Sequence, residues 1–241
     1  FKQKTAYEIG VRLVGSEMCI RDRVILFSVL LLGISFSQSS YAFDNHSFEL
    51  EWGESGKTAP GNFLFPQQIS EDNQGNLYIT DLGNSRIQTF DSSGNFIKTW
   101  GINGSGAGEF NSPQGIAVSE NFVFVSDNKL NKIQKFDSLG NFIAEWKNEV
   151  IGQLYSVNIN NYENYLFGID YIVSENLAPL GSDIIKFDLD LNFKSKFGRS
   201  GNYKGPKARY HDIQVDNEGN IYVGDILNNT IQKFKPIKTL D

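Results

Sequence analysis

The sequence predicts an all-β chain built from four copies of one four-stranded unit, and three observations carry that expectation. Large aromatic residues recur at Trp52, Trp100, Trp146 and Phe197, spaced 48, 46 and 51 residues apart. A second marker, Phe90-Asp91, Phe136-Asp137, Phe187-Asp188 and Phe234-Lys235, recurs at 46, 51 and 47. After residue 42 there is no helical periodicity, only short period-2 or continuous apolar runs separated by turn residues. A fixed period in this range signals a repeat architecture, and two markers that keep it set it apart from coincidence.

The strands of one unit read most clearly in the second copy, as Gly115 to Ser119, Phe122 to Ser126, Lys132 to Phe136 and Phe142 to Trp146. Their turns carry a chemical signal. Asp91-Ser92-Ser93-Gly94-Asn95 and Asp137-Ser138-Leu139-Gly140-Asn141 place Asp where its carboxylate can accept from the following amides, and Gly where a positive φ is needed. Asp72-Asn73-Gln74-Gly75-Asn76 and Asp216-Asn217-Glu218-Gly219-Asn220 repeat the device one hairpin earlier. The third copy departs most. Asp170 to Phe187 spans 17 residues where the other copies span 9, which predicts a protruding loop over Ile172 to Asp183, and Leu191 stands where the turn glycine should be. The Gly-rich run 101–108 lacks a P-loop lysine and leads to a strand rather than a helix, so it reads as a flexible link between copies, like 53–61 and 198–205.

Composition limits what such a fold can do. The 241 residues are 40% apolar and 13% aromatic, enough for a core, and 22 basic against 28 acidic residues give a formal charge of -6. That balance excludes a nucleic-acid partner, whose phosphates need a basic face. One Cys and two His rule out an internal disulfide, a thiolate cluster and a multi-histidine site.

The first 42 residues are set apart. Residues 2–23 resemble the translation of a sequencing-library adapter and are left out of the fold reasoning, as expression scars are. Val24 to Ser35 is uncharged over twelve residues, short of the roughly 20 that span a membrane and the length of a signal-peptide core. Ser40-Tyr41-Ala42 supplies small residues for cleavage after Ala42, which predicts a secreted or cell-envelope protein. The remaining 43–241 carry neither Cys nor Met and a charge of -8.

Each unit resembles an NHL repeat. The likeness covers about residues 48–235 and is best seen in Pro113-Gln114-Gly115-Ile116-Ala117-Val118, Asn76-Leu77-Tyr78-Ile79-Thr80-Asp81, Asn131 to Asp137 and Asn220-Ile221-Tyr222-Val223-Gly224-Asp225. The resemblance implies a β-propeller of four-stranded antiparallel blades around a central channel, with repeats at about 54–100, 101–146, 147–197 and 198–241. Phe48 to Gly53 matches the outermost strand of a blade and would close a four-bladed ring against the last copy. A piece of a five- or six-bladed propeller is the other reading.

Propellers bind at the channel mouth, and aligning the copies on Ile69, Ile116, Val157 and Ile213 brings Gln67, Gln114, Tyr155 and His211 together as candidate ligand-binding residues. Asp212, beside His211, joins them, although neighbours on a strand face opposite sides and so would not act as a pair. Some NHL-like lyases hold zinc with several His; three or four ligands are needed, and this ring offers one. Asp81, Asp127, Asp170 and Asp225 recur once per copy, as turn-capping carboxylates would. Asp188-Leu189-Asp190-Leu191-Asn192 imitates a calcium loop, but Phe193 and Arg199 stand at its sixth and twelfth positions, so charge leaves calcium open without a motif to support it. Lys204, Lys207 and Arg209 cluster in the last link, where pairing with nearby acids is expected. The sequence thus predicts an exported propeller that serves as a binding or scaffold module for a protein, peptide or glycan, with no catalytic residue and no cofactor assigned. A metal-dependent lyase or lactonase-like enzyme with its site in the channel is the alternative. Oligomeric state is left open.

Overall fold

The structure, a computed structural model, describes residues 48–148, 152–161, 163–173, 179–200 and 204–236. The leader, its cleavage point, the adapter-like stretch and His46 lie outside them. Four antiparallel sheets follow one another as blades, each a meander whose first strand is innermost. The first holds Pro66–Glu71, Leu77–Asp81, Arg86–Phe90 and Phe96–Trp100. The second holds Pro113–Val118, Phe122–Asp127, Lys132–Asp137 and Phe142–Lys147, within two residues of the strands read from the sequence. Gly152–Asn160, Tyr165–Val173, Pro179–Asp188 and Phe193–Gly198 form the third, and Tyr210–Val215, Ile221–Asp225 and Thr230–Phe234 the fourth.

The core lies between blades rather than within one, because each sheet is apolar on both faces and must bury both. Ile87 of the first sheet clusters with Ile116 and Phe136 of the second. Ile133 of the second clusters with Val157 and Phe187 of the third, and Ile184 of the third with Ile213 of the fourth. The two sequence markers meet at these junctions. Trp52 lies 6.1 Å from Phe90 and Trp100 6.2 Å from Phe136, while Trp146 and Phe197 lie 4.8 and 5.5 Å from Phe187 and Phe234. They keep one period because they are two sides of a single contact between successive copies, not independent signals.

The turn glycines explain the rest of that junction. Gly140 has φ +91°, and a Cβ there would come within 2.7 Å of the Trp100 ring; Gly94 does the same under Trp52. Leu191 takes this position in the third blade at φ 63° and is buried against the Trp146 cluster, so apolar burial offsets the steric cost of a left-handed leucine.

Phe48 to Gly53 is in no strand among the described residues, and Trp52 lies on Phe90 and Gly94 of the first sheet. Two expectations are corrected. The predicted loop over Ile172 to Asp183 is a lengthened hairpin, with Tyr171, Ile172 and Val173 paired to Ser182, Gly181 and Pro179. Buried Tyr171 and Ile172 let the period-2 pattern run on past the point where the other blades turn. The links 53–61 and 101–108 are pinned rather than flexible. Lys132 Nζ donates to Ser105 O and Gly106 O, Gly108 N donates to Gln134 Oε1, and a short parallel pair joins Ile102–Asn103 to Glu109–Phe110. Arg86 and Gln88 hold the link before the first blade in the same way.

Candidate functional site at the channel mouth

Each inner strand breaks register near its start. The irregularities fall between Pro66 and Ile69, Leu154 and Val157, and Tyr210 and Asp212, and the second strand of the second blade skips Gln114 between Gly115 and Pro113. An extra residue at a bulge interrupts the alternation of side chains and re-aims them. As a result, neighbours that a regular strand would send to opposite faces line one cavity of about 150 Å³: Gln67 with Gln68, Tyr155 with Ser156, His211 with Asp212, and Gln114. The expectation that His211 and Asp212 face apart is therefore corrected; the bulge at His211 puts both side chains on the cavity wall.

Hydroxyl groups on the second strands hold the bulges in place. Thr80 Oγ1 accepts from Gln68 N at 2.9 Å and donates to Gln114 O of the next blade at 3.0 Å. Ser126 Oγ repeats this, accepting from Gly115 N at 3.0 Å and donating to Tyr155 O at 2.6 Å. A freed strand amide and the neighbouring blade's carbonyl are thus satisfied by one buried side chain, which fixes the mouth residues relative to one another.

Within the mouth, Ser156 Oγ donates to Asp212 Oδ1 at 2.6 Å, linking the third blade to the fourth. Gln68 Oε1 accepts from Ile116 N at 2.9 Å, and its Nε2 reaches Val157 O at 3.4 Å, so one amide touches three blades. The Tyr155 ring lies 5.7 Å from His211, and its hydroxyl donates to Gln153 Oε1 at 2.9 Å while accepting from Arg209 Nη2 at 3.2 Å. Arg209 also stacks over Tyr171 at 5.0 Å, so it serves the aromatic group beside the mouth rather than an acid. The mouth thus offers amides, a carboxylate, an imidazole and a tyrosine ring, a set suited to hydrogen bonding with stacking. Among the described residues no group of three or more His, Cys, Asp or Glu gathers to hold a metal.

All five residues singled out from the sequence line this cavity, while Gln68, Ser156 and the supporting Arg209 were missed. The available signal was two successive polar residues ahead of the inner-strand aliphatic in the first, third and fourth copies, which breaks the period-2 pattern and marks a bulge.

The recurring aspartates cap. Asp81 accepts from Leu64 N, Asn84, Arg86 and Gln88; Asp127 from Asn111 N, Ser112 N and Leu130 N; Asp225 from Arg209 N, Leu227 N and Asn228. Asp170 differs, because the lengthened third blade carries its strands past the point where a link would be capped. Its Oδ2 accepts from Asn148, its Oδ1 has no partner, and burial pushes its pKa up to about 6. The calcium-like Asp188 spends its carboxylate on Asp190 N, Asn192 and Lys194, which hold it well below the usual carboxylate range. A larger cavity of about 340 Å³ opens at the other end of the strands, between the first two blades. Its wall includes Asp72, already committed to Asn76 and Tyr78, and Lys98, held by Ser138 O and the faces of Tyr78 and Trp100.

A family model described as a 6-bladed beta-propeller matches residues 62–178. NHL repeat-containing protein 2 of Gallus gallus is 36% identical over 76 residues, which is 28% of this chain and 10% of that protein. Among solved structures, virginiamycin B lyase from Staphylococcus aureus superposes with a TM-score of 0.52 at 19% identity, over 72% of this chain and 56% of that one. The WD40 beta propeller domain of Doa1 superposes at 0.51 and 12% identity, over 72% and 51%. The chain spans a tenth of the curated relative and just over half of these propellers. At such identities the structural likenesses show the fold alone. Fold and comparisons agree that the chain is a β-propeller, one part of which is similar to an NHL repeat-containing protein.

Proposed function

We propose that this is an exported propeller that binds a peptide or glycan, free or on a protein, through its channel mouth. The observation that carries the proposal is the set of bulged inner strands, which turn polar and aromatic side chains of all four blades onto one cavity. Drug-sized pockets span about 300–1,000 Å³. At about 150 Å³ this one suits a single residue of a longer chain, stacked on Tyr155 and hydrogen-bonded by Gln114 and Asp212. Export rests on the uncharged segment 24–35 and the small residues before position 43.

The binding test is a peptide and glycan array probed with the full chain, followed by titration of the hits against Tyr155→Ala and His211→Ala. At least a tenfold loss of affinity in either variant is expected; hits that bind both variants as well as wild type would overturn the site. Export is checked by the mass of the protein recovered outside the expressing cell, expected to begin at Phe43.

A second reading, a lyase-like enzyme, draws on His211 and Asp212 sharing the cavity and on the likeness to virginiamycin B lyase. The residues present do not fit zinc, which needs three or four ligands, since His211 and Asp212 are the only customary ones on the cavity wall. A large thermal stabilisation by one divalent ion, lost in His211→Ala, would move the assignment to this reading.

A further inference from the structure

The third strands of the second, third and fourth blades carry a lysine at one equivalent place. Lys135 lies opposite Phe124 and Ala144, Lys186 opposite Phe167 and Ser195, and Lys233 opposite Tyr222. In the first blade that place, opposite Tyr78 and Lys98, belongs to Thr89. Where the second blade meets the third, Lys135 crosses the junction and donates to Asp190 at 2.9 Å, with its side chain 4% exposed. The residue at the Asp190 place in the second blade is Leu139, two positions after the turn aspartate Asp137 as Asp190 is after Asp188. Both halves of the pair that fills one junction are therefore missing from the junction before it.

The consequence is the cavity of about 340 Å³ between the first two blades, whose wall includes Thr89 and Leu139. Thr89 is 1% exposed, and its hydroxyl is buried with no hydrogen-bond partner. A hydroxyl withdrawn from water and left unpaired is costly, so such a group marks a place where a bound molecule completes the bonding. The charged groups deeper in the wall are spent within the protein: Asp72 on Asn76 and Tyr78, and Lys98 on Ser138 O and the faces of Tyr78 and Trp100. Apart from the exposed Glu120, what remains to meet a ligand is neutral. The Thr89 hydroxyl and the Asn73 amide each donate and accept, beside an apolar patch of Val118, Phe122 and Leu139. An apolar ligand would leave the hydroxyl unpaired, an anion would face Asp72 and Glu120, and a cation would face Lys98. A neutral sugar offers hydroxyls to the polar groups and a C–H face to the patch, and the volume falls within the range of about 300–1,000 Å³ usual for small-molecule pockets.

We infer that this cavity is a second binding site, at the opposite end of the strands from the channel mouth, and that it takes a neutral mono- or disaccharide with a ring hydroxyl bonded to Thr89. It stands apart from the mouth, since no residue lines both cavities. It also lies between two four-stranded sheets inside the chain, so it does not depend on what adjoins the first or the fourth blade.

Titrations of the full chain followed by saturation-transfer NMR test this, with maltose, cellobiose, lactose and chitobiose as probes and glucuronic acid and glucosamine as charged controls. At least one neutral disaccharide is expected to bind, more tightly than either control. Thr89→Lys together with Leu139→Asp rebuilds the pair of the next junction inside the cavity and is expected to weaken binding at least tenfold. Thr89→Val is expected to weaken it about fivefold, the share of one neutral hydrogen bond, while the melting temperature without sugar holds or rises because a stranded hydroxyl is gone. That variant separates a binding role from a folding defect. Binding by none of the neutral disaccharides, or preference for a charged control, would overturn the inference, as would wild-type affinity or a lowered melting temperature in Thr89→Val. A loss in Tyr155→Ala with none in either Thr89 variant would place the sugar at the channel mouth and overturn it too.

Discussion

Asp170 shows how one residue acquires a different character when its surroundings change. Its counterparts Asp81, Asp127 and Asp225 each accept several hydrogen bonds, while it accepts one, from Asn148, and burial raises its pKa to about 6. A carboxyl whose folded pKa lies above its ordinary 3.8 contributes stability that is fully present below about pH 4 and is lost as pH rises through 6. The difference between the two values corresponds to about 3 kcal/mol. Asp170→Asn removes this ionisation, so the variant is expected to be more stable than wild type at pH 8 by about 1–3 kcal/mol and to differ little at pH 4. Urea titrations at the two pH values check this; equal midpoints at pH 8 would show that the carboxylate finds compensation when charged. At Gly140 the constraint is steric. With φ at +91° and the Trp100 ring 2.7 Å from where an alanine methyl would sit, there is no room for a side chain. Gly140→Ala is expected to cost about 2 kcal/mol or more, read as a lower urea midpoint with unchanged slope.

Between blades, a few hydroxyls have an effect larger than their size. Ser126 accepts from Gly115 N in a buried bond and donates to Tyr155 O in a part-buried one. Ser126→Ala leaves both groups unsatisfied and is expected to cost about 1–3 kcal/mol. Because Tyr155 lies on the far side of that bond, ligand affinity at the mouth should fall with it, while Thr99→Val, which breaks a bond from a hydroxyl on the outermost strand to Ile87 O on the third, should leave affinity alone. The same scale explains what the sequence could and could not reveal. The strands of the second blade were legible to within two residues because period-2 runs ended in Asp-x-x-Gly-Asn turns, whose carboxylates do accept from the second and fourth following amides. The columns Gln67, Gln114, Tyr155 and His211 were legible because the repeat aligned them. The bulges were not. In the first two blades Thr80 and Ser126, on other strands, accept from the inner-strand amides at the bulges, a contact between segments that no local pattern records. The lengthened third-blade hairpin was misread for a related reason, since extra residues look alike in sequence whether they pair or loop out.

At the scale of the whole molecule, acid should unfold all blades together. Every blade carries a turn aspartate of the Asp-x-x-x-Asn type: Asp72 and Asp91 in the first, Asp137, Asp188 and Asp216 in the others. Hydrogen bonds from the asparagine four residues on, and from turn amides, hold Asp91, Asp137 and Asp216 below the ordinary carboxylate value. For Asp72 those bonds outweigh a raising contribution from burial, and for Asp188 the Lys194 bond comes first. A carboxylate whose folded pKa is depressed contributes stability that is present above its unfolded value near 3.8 and lost as pH falls through the folded one. Asp170 runs the other way and gains as pH drops toward 4, so it opposes the early part of this loss. Since every blade carries such a turn and is buried against its neighbour, their protonation should weaken all four in one pH window below about 4. Trp100 and Trp146 report on two successive junctions and Trp52 on the outer face of the first blade, so tryptophan fluorescence and far-ultraviolet circular dichroism are expected to follow a single coincident acid transition. Asp137→Asn, which keeps the turn acceptor but removes the charge, should flatten the acid slope by the share of one group. Transitions that separate between the two probes would mean that blades melt independently, and that the contacts between copies are weaker than the burial of Ile87, Ile133 and Ile184 implies.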